Sequence, residues 1–186
     1  AESLRTPQWF ENPVASLQKE ISDRAVQRSP QEVYATVIQW LQIKRNSAAN
    51  IAVSRWAAAQ TAWPVTSRLT ANLNLAEALL GQPDVGNEAK REAADALGNV
   101  VTLASSNDWA IPAAIRRARV PSEPGSFDAA DRALEEARFR WKGNPQWEPS
   151  VLIERIQSMV KRGNVSDARA IRDELVKAYP EFEIPA

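Results

Sequence analysis

The stretch GNVSDARAIRDELVKAYP, residues 163–180, decides the fold. It opens on a glycine turn, sets Ala168 five residues on, spaces Ile171, Leu175 and Ala178 at helical intervals, and stops at Pro180, which cannot continue a helix. Just before it SVLIERIQSMVKR, residues 150–162, places Leu152, Ile156 and Met159 on one face. The two segments read as an antiparallel hairpin that reverses at Gly163 and Asn164, with the small Ala168 where the helices cross most closely. Thirty-eight residues upstream, GSFDAADRALEEARFRWK at 125–142 repeats the layout: Gly125 falls at the place of Gly163, Ala130 at that of Ala168 and Ala137 at that of Leu175.

A helix, a glycine turn, a second helix with a crossing alanine and a closing proline resemble the tetratricopeptide repeat, whose period is about 34 residues. Gly163, Ala168 and Pro180 match its turn, crossing and terminal positions; Gly125, Phe127, Asp128, Ala130 and Ala137 match the turn, the aromatic beside it and the small positions upstream. The resemblance covers about residues 108–180. It departs from the family pattern in its 38-residue spacing, in the absence of the first-helix signature from 150–160, and in Lys142, which stands where the upstream proline would fall. It implies stacked hairpins whose first helices line a groove for a protein or peptide partner.

Working outward, residues 31–45, QEVYATVIQWLQIKR, set Val33, Tyr34, Val37, Trp40, Leu41 and Lys44 on one side after Ser29 and Pro30, a cap and first-turn pair. SAANIAVSRWAAAQTAW, 47–63, is an alanine-rich helix that should stop before Pro64, because a proline restricts the residue ahead of it. Residues 65–80 carry Leu69, Leu73, Ala76 and Leu80 as a stripe, and 87–104 carry Ala89, Ala93, Ala96, Leu97, Val100 and Ala104, predicting a second hairpin across Gly81 and Pro83. SLQKEISDRAV, 16–26, predicts one further helix. The polar, proline-rich stretches at 105–109 and 119–126 flank only a short helix, AIPAAIRRAR. No segment alternates apolar and polar residues as a strand does. The expectation is an all-α protein: a helical bundle over 1–106 packed on a tetratricopeptide-like hairpin lobe over 107–186.

Composition narrows the function. The 186 residues hold 23 basic and 23 acidic side chains, so no global field draws the chain to nucleic acid or anionic membrane. Without cysteine or histidine, thiolate chemistry, the common triads and the usual transition-metal ligands are gone. Six scattered glycines form no phosphate loop. The carboxylate pairs Asp128 with Asp131, Glu135 with Glu136 and Asp173 with Glu174 lie among arginines, as on a solvated helix face with intrahelical ion pairs. The triplet NVS at 164–166 sits in the repeat turn and is given no role. No catalytic residue, metal site or cofactor is expected.

What remains is a basic and aromatic grouping that includes Trp109, Arg116, Arg117, Arg119, Arg138, Arg140, Trp141, Lys142 and Trp147. Arginine beside tryptophan suits a protein hot spot, the stacking of nucleic acid, or plain sealing of a small core. The expectation is a non-enzymatic scaffold that binds a protein or peptide, with Trp109, Arg116, Arg117, Arg155 and Lys161 as its binding residues. A carboxylate-only enzyme acting on a glycan, and a binder of nucleic acid or anionic polymer, are the alternatives. No run of residues is long and apolar enough to span a bilayer. The chain begins at Ala1 without methionine, so a processed product or excised segment is expected, in a bacterial periplasmic or membrane-anchored setting.

Overall fold

The computed structural model describes residues 8–104, 110–120 and 127–182, apart from the side chains of residue 111 and residues 127–130. Among the described residues there are ten helices and no strand; the protein is all-α. Its contacts divide it into two compact units, Ala1–Ala104 and Ser105–Ala186. The division expected after residue 106 falls within 105–109, outside the described residues.

The N-terminal unit contains α1 (Gln8–Glu11), α2 (Pro13–Arg24), α3 (Pro30–Ile43), α4 (Ser47–Ala58), α5 (Val65–Leu80) and α6 (Asn87–Leu103). Each early helix starts where its sequence satisfies the orphan amides of a first turn. Asn12 accepts from the Ala15 amide ahead of α2, and Asn46 accepts from the Ala49 amide ahead of α4. Before α3, Ser29 and Glu32 form a reciprocal capping box with Pro30 in the first turn. The Ser29 amide and hydroxyl hold the Glu32 carboxyl below its ordinary range.

Helix α3 buries Val33, Tyr34, Val37, Ile38 and Leu41 against Leu17 of α2 and Ala49, Val53 and Ala57 of α4. Lys44, expected on that face, is the exposed C-cap. Trp63 packs on Tyr34 with ring centroids 5.7 Å apart and edge-on to Trp56 at 5.6 Å. Such pairs add about 0.5–1.5 kcal/mol each beyond their buried area. Helix α4 ends at Ala58, ahead of Pro64 as expected but by a full turn, because residues 59–63 form the turn that brings Trp63 back onto the core.

Helices α5 and α6 form the antiparallel hairpin, with Asn99 donating to Asn72 across it at 3.2 Å. The face that α5 buries is rotated from the expected stripe: Leu69, Asn72, Leu75, Ala76 and Leu79 are buried while Leu73 and Leu80 are half-buried. The reason is that α5 packs on α4 as well as on α6, which widens its covered face beyond one leucine row.

The C-terminal unit contains α7 (Ala110–Arg119), α8 (Phe127–Trp141), α9 (Glu148–Lys161) and α10 (Val165–Ala178). Gly163 turns the chain between α9 and α10 with φ +78°, a left-handed conformation that costs glycine nothing. Tyr179, at the end of α10, donates to Glu148 at the start of α9, so the two helices run antiparallel. Leu152, Ile171 and Leu175 form their core with Ile153, Ile156 and Met159 against it, and Ala168 is 3% exposed. Gly125 lies outside the described residues, as do the side chains of Phe127, Asp128 and Ala130, so the upstream half of the sequence repeat has only Ala137 to show, which is buried.

Candidate functional site

Arg119, Arg138, Arg155 and Arg162 of the C-terminal unit pair with carboxylates of neighbouring helices. Arg119, ending α7, spans both carboxylate oxygens of Glu154 on α9 at 2.9 and 2.8 Å. This pairing holds the guanidinium pKa above its ordinary value. Arg155, the next residue of α9, faces α8 instead and donates to Glu135 at 2.9 Å. Two turns further on, Arg162 pairs with Asp131 of α8, and Ser158 donates to the same carboxylate at 3.2 Å. Arg138 of α8 reaches Glu174 of α10 and lies 3.8 Å from Glu148. Of the pairs expected within single helices, Glu136 with Arg140 is one; Glu135, Asp131 and Glu174 pair between helices instead. The antiparallel hairpin sets arginines and carboxylates opposite each other, and these contacts span more of the chain than an i, i+4 rule can see.

Glu148 is the centre of the tightest polar arrangement. Buried at the start of α9, it accepts the Tyr179 hydroxyl and, at 2.5 Å, the amide of Gly143. Gly143 takes φ +80° in the α8–α9 turn, which aims that amide at the carboxylate. The carboxylate pushes the Tyr179 hydroxyl pKa up to about 12. The arrangement holds the turn and the end of α10 together. Among the described residues no group of acidic side chains is placed to hold a metal ion.

Against this network one side chain is out of place. Phe139 of α8 is 86% exposed, although Leu134 and Ala137 on the same helix are buried. It lies in an outward row with Arg132, Glu135, Glu136 and Lys142, at helical spacing, and this row borders an open groove of about 680 Å³ completed by Arg138 and Arg155. Arg155 is only 8% exposed, and its Nε is buried with no hydrogen-bond partner among the described residues.

Of the residues expected to bind, Arg155 lines this groove. Arg116 is exposed and Arg117 half-buried on α7, and Lys161 is exposed at the end of α9; the structure does not bring these three into the groove. Trp109 lies outside the described residues. Phe139 escaped the sequence reading, though a signal was there: it falls two positions from Ala137, on the face opposite the repeat's small residues, where a core aromatic has no place.

No protein-family model, curated protein sequence or solved structure matches this chain. Among the described residues, no helix is long and apolar enough to cross a membrane.

Proposed function

We propose that the protein is a non-enzymatic interaction module whose C-terminal unit is a tetratricopeptide-like hairpin array that grips a protein or peptide partner. The observation that carries this reading is Phe139, a large apolar ring held in solvent beside an open, cation-bordered groove. Covering such a ring stabilises a complex by roughly 1.5–3 kcal/mol, and aromatic and arginine anchors dominate the energetics of protein interfaces. The ammonium of Lys142, exposed in the same row as the ring, favours a partner that brings a carboxylate next to its own apolar side chain. The sequence-derived surface of Trp109, Arg116, Arg117 and Lys161 is thus replaced as the main anchor by the α8–α9 groove, with Arg155 common to both.

The other functions considered for the sequence draw less support. Glu135 and Glu136, the acids of the groove, are engaged by Arg155 and Arg140, which suits neither a proton donor nor a base. Arginines committed to interhelical carboxylates offer little to a phosphate chain, whose binding depends on neutralising phosphates.

Affinity capture from the native source tests the reading. Wild-type protein should retain one discrete partner, and Phe139→Ser should lose most of it with helicity unchanged, since an exposed side chain contributes nothing to the fold. Capture undiminished by a folded Phe139→Ser protein would move the interface elsewhere.

A further inference from the structure

A second groove lies in the N-terminal unit, between α3 and α5, and differs in kind from the first. Its volume is about 300 Å³. In a chain where a quarter of the residues are charged, its lining contains no charge. Gln31, Gln39 and Gln42 line it from α3, and Ser67, Thr70 and Asn74 from α5, with Tyr34 and Ile38 as the floor.

The floor is built to hold one of these groups in place. The buried Tyr34 hydroxyl donates to Ser54 at 3.4 Å, Ser54 donates to Asn50 at 3.0 Å, and Tyr34 accepts Nδ2 of Asn74 at 3.2 Å. Asn74 therefore enters the groove as an amide fixed from below, so little orientational freedom is left to be lost when a ligand arrives. A side-chain amide offers both a donor and an acceptor, the pair that a peptide main chain also presents. Carboxylates, phosphates and ammonium groups would find no counter-charge here.

Length decides between the neutral polar ligands. From Gln31 to Gln42 the groove follows α3 for eleven residues, roughly 16 Å at 1.5 Å per residue. That is the span of about five residues of extended peptide at 3.3 Å each, and no exposed aromatic ring stands in the lining for a sugar to stack on. We infer that the α3–α5 groove binds an extended, uncharged segment of another protein, held mainly through its main chain by the glutamine and asparagine amides. This site is separate from the α8–α9 groove and does not depend on its function.

The test titrates the full chain, labelled with nitrogen-15, with a pool of uncharged synthetic peptides of Ser, Thr, Asn, Gln, Val and Pro, each about twice the groove's length, and in parallel with a neutral chitin oligosaccharide. The peptides should shift the side-chain amide signals of Gln31, Gln39, Gln42 and Asn74, equally at about 0.05 and 0.5 M salt, since screening acts on charges. Ala35→Trp, which fills the groove from an exposed position on α3, should weaken binding about tenfold or more, the loss expected when a central contact region is blocked. Should that variant misfold, Gln39→Ala with Gln42→Ala is expected to weaken it comparably. Absent peptide shifts, shifts by the oligosaccharide in place of the peptides, or full affinity in a folded variant would each overturn the inference.

Discussion

Where α3 and α4 meet in the N-terminal unit, the contact is made of rings and small apolar groups: Tyr34, Trp56 and Trp63 interlock, and Ala49, Val53 and Ala57 let the helices close. Where α7, α8 and α10 meet α9 or each other in the C-terminal unit, ion pairs line the contact as well: Arg119 with Glu154, Arg155 with Glu135, Arg162 with Asp131, Arg138 with Glu174. Both units are helical, but the work of joining helices is divided differently. The first buries aromatic area, and a neutral polar relay runs inside it through Tyr34. The second buries Leu134, Val151, Leu152, Ile171 and Leu175, and ion pairs run along its seams. An arginine-rich sequence reads as a ligand-binding surface, yet Arg119, Arg138, Arg155 and Arg162 pair with the protein's own carboxylates, and the large apolar side chain that stands in solvent is Phe139.

That division can be broken most forcefully in the cores. Leu41→Ala in the N-terminal unit and Leu175→Ala in the C-terminal unit each empty a fully buried site and should cost about 2–5 kcal/mol. Denaturant unfolding followed by tryptophan fluorescence should place the two losses in different parts of the chain if the units unfold separately. Next in size, Ala168→Phe overpacks the α9–α10 crossing and should cost roughly 1–3 kcal/mol, seen as a lower melting temperature; an unchanged one would put Ala168 on the surface and end the repeat alignment there.

Smaller effects sharpen the contrast. Arg119→Ala leaves the buried Glu154 carboxylate unpaired and should cost about 1 kcal/mol or more, whereas Arg55→Ala, at the solvent-exposed pair with Glu92 in the N-terminal unit, should cost less than about 1 kcal/mol. Equal losses would mean that the seams of the two units are not different after all. The smallest effect is in alkali. Tyr179 holds its proton up to about pH 12 in the folded chain, against about 10 when unfolded. Because the folded value is the higher, its stabilising contribution is complete below about pH 10 and is lost as pH rises toward 12. Thermal unfolding across that range should show a decline that Tyr179→Phe reduces.

Much of the fold was legible because it is written locally. Ser29, Pro30 and Glu32 announce α3; Pro64 and Gly81 bracket α5; Gly163 and Pro180 bracket α10. Each is a near-neighbour effect that needs no tertiary context. The stripe read along α5 differs from its buried face because that face depends on two neighbouring helices at once, which periodicity along one helix cannot report. The candidate site was less legible for the same reason. The sequence marks Arg155 as a basic residue, but whether an arginine faces water or a carboxylate twenty residues away is decided by hairpin geometry. Phe139 was readable in principle, since its place on the polar side of α8 conflicts with its chemistry. The α3–α5 groove had no sequence signal at all: its glutamines and asparagine look like ordinary exposed polar residues until two helices set them facing each other.

The central claim, that the C-terminal unit meets its partner at Phe139, can be tested by one crosslinking measurement. A photoreactive benzoylphenylalanine is placed at position 139, and as a control at position 43, where Ile43 is exposed on α3 and 78% accessible; both proteins are irradiated in extract from the native source. The account predicts a discrete adduct from position 139 that is absent from position 43. The same adducts from both positions, or none from position 139 while partner capture persists, would contradict it.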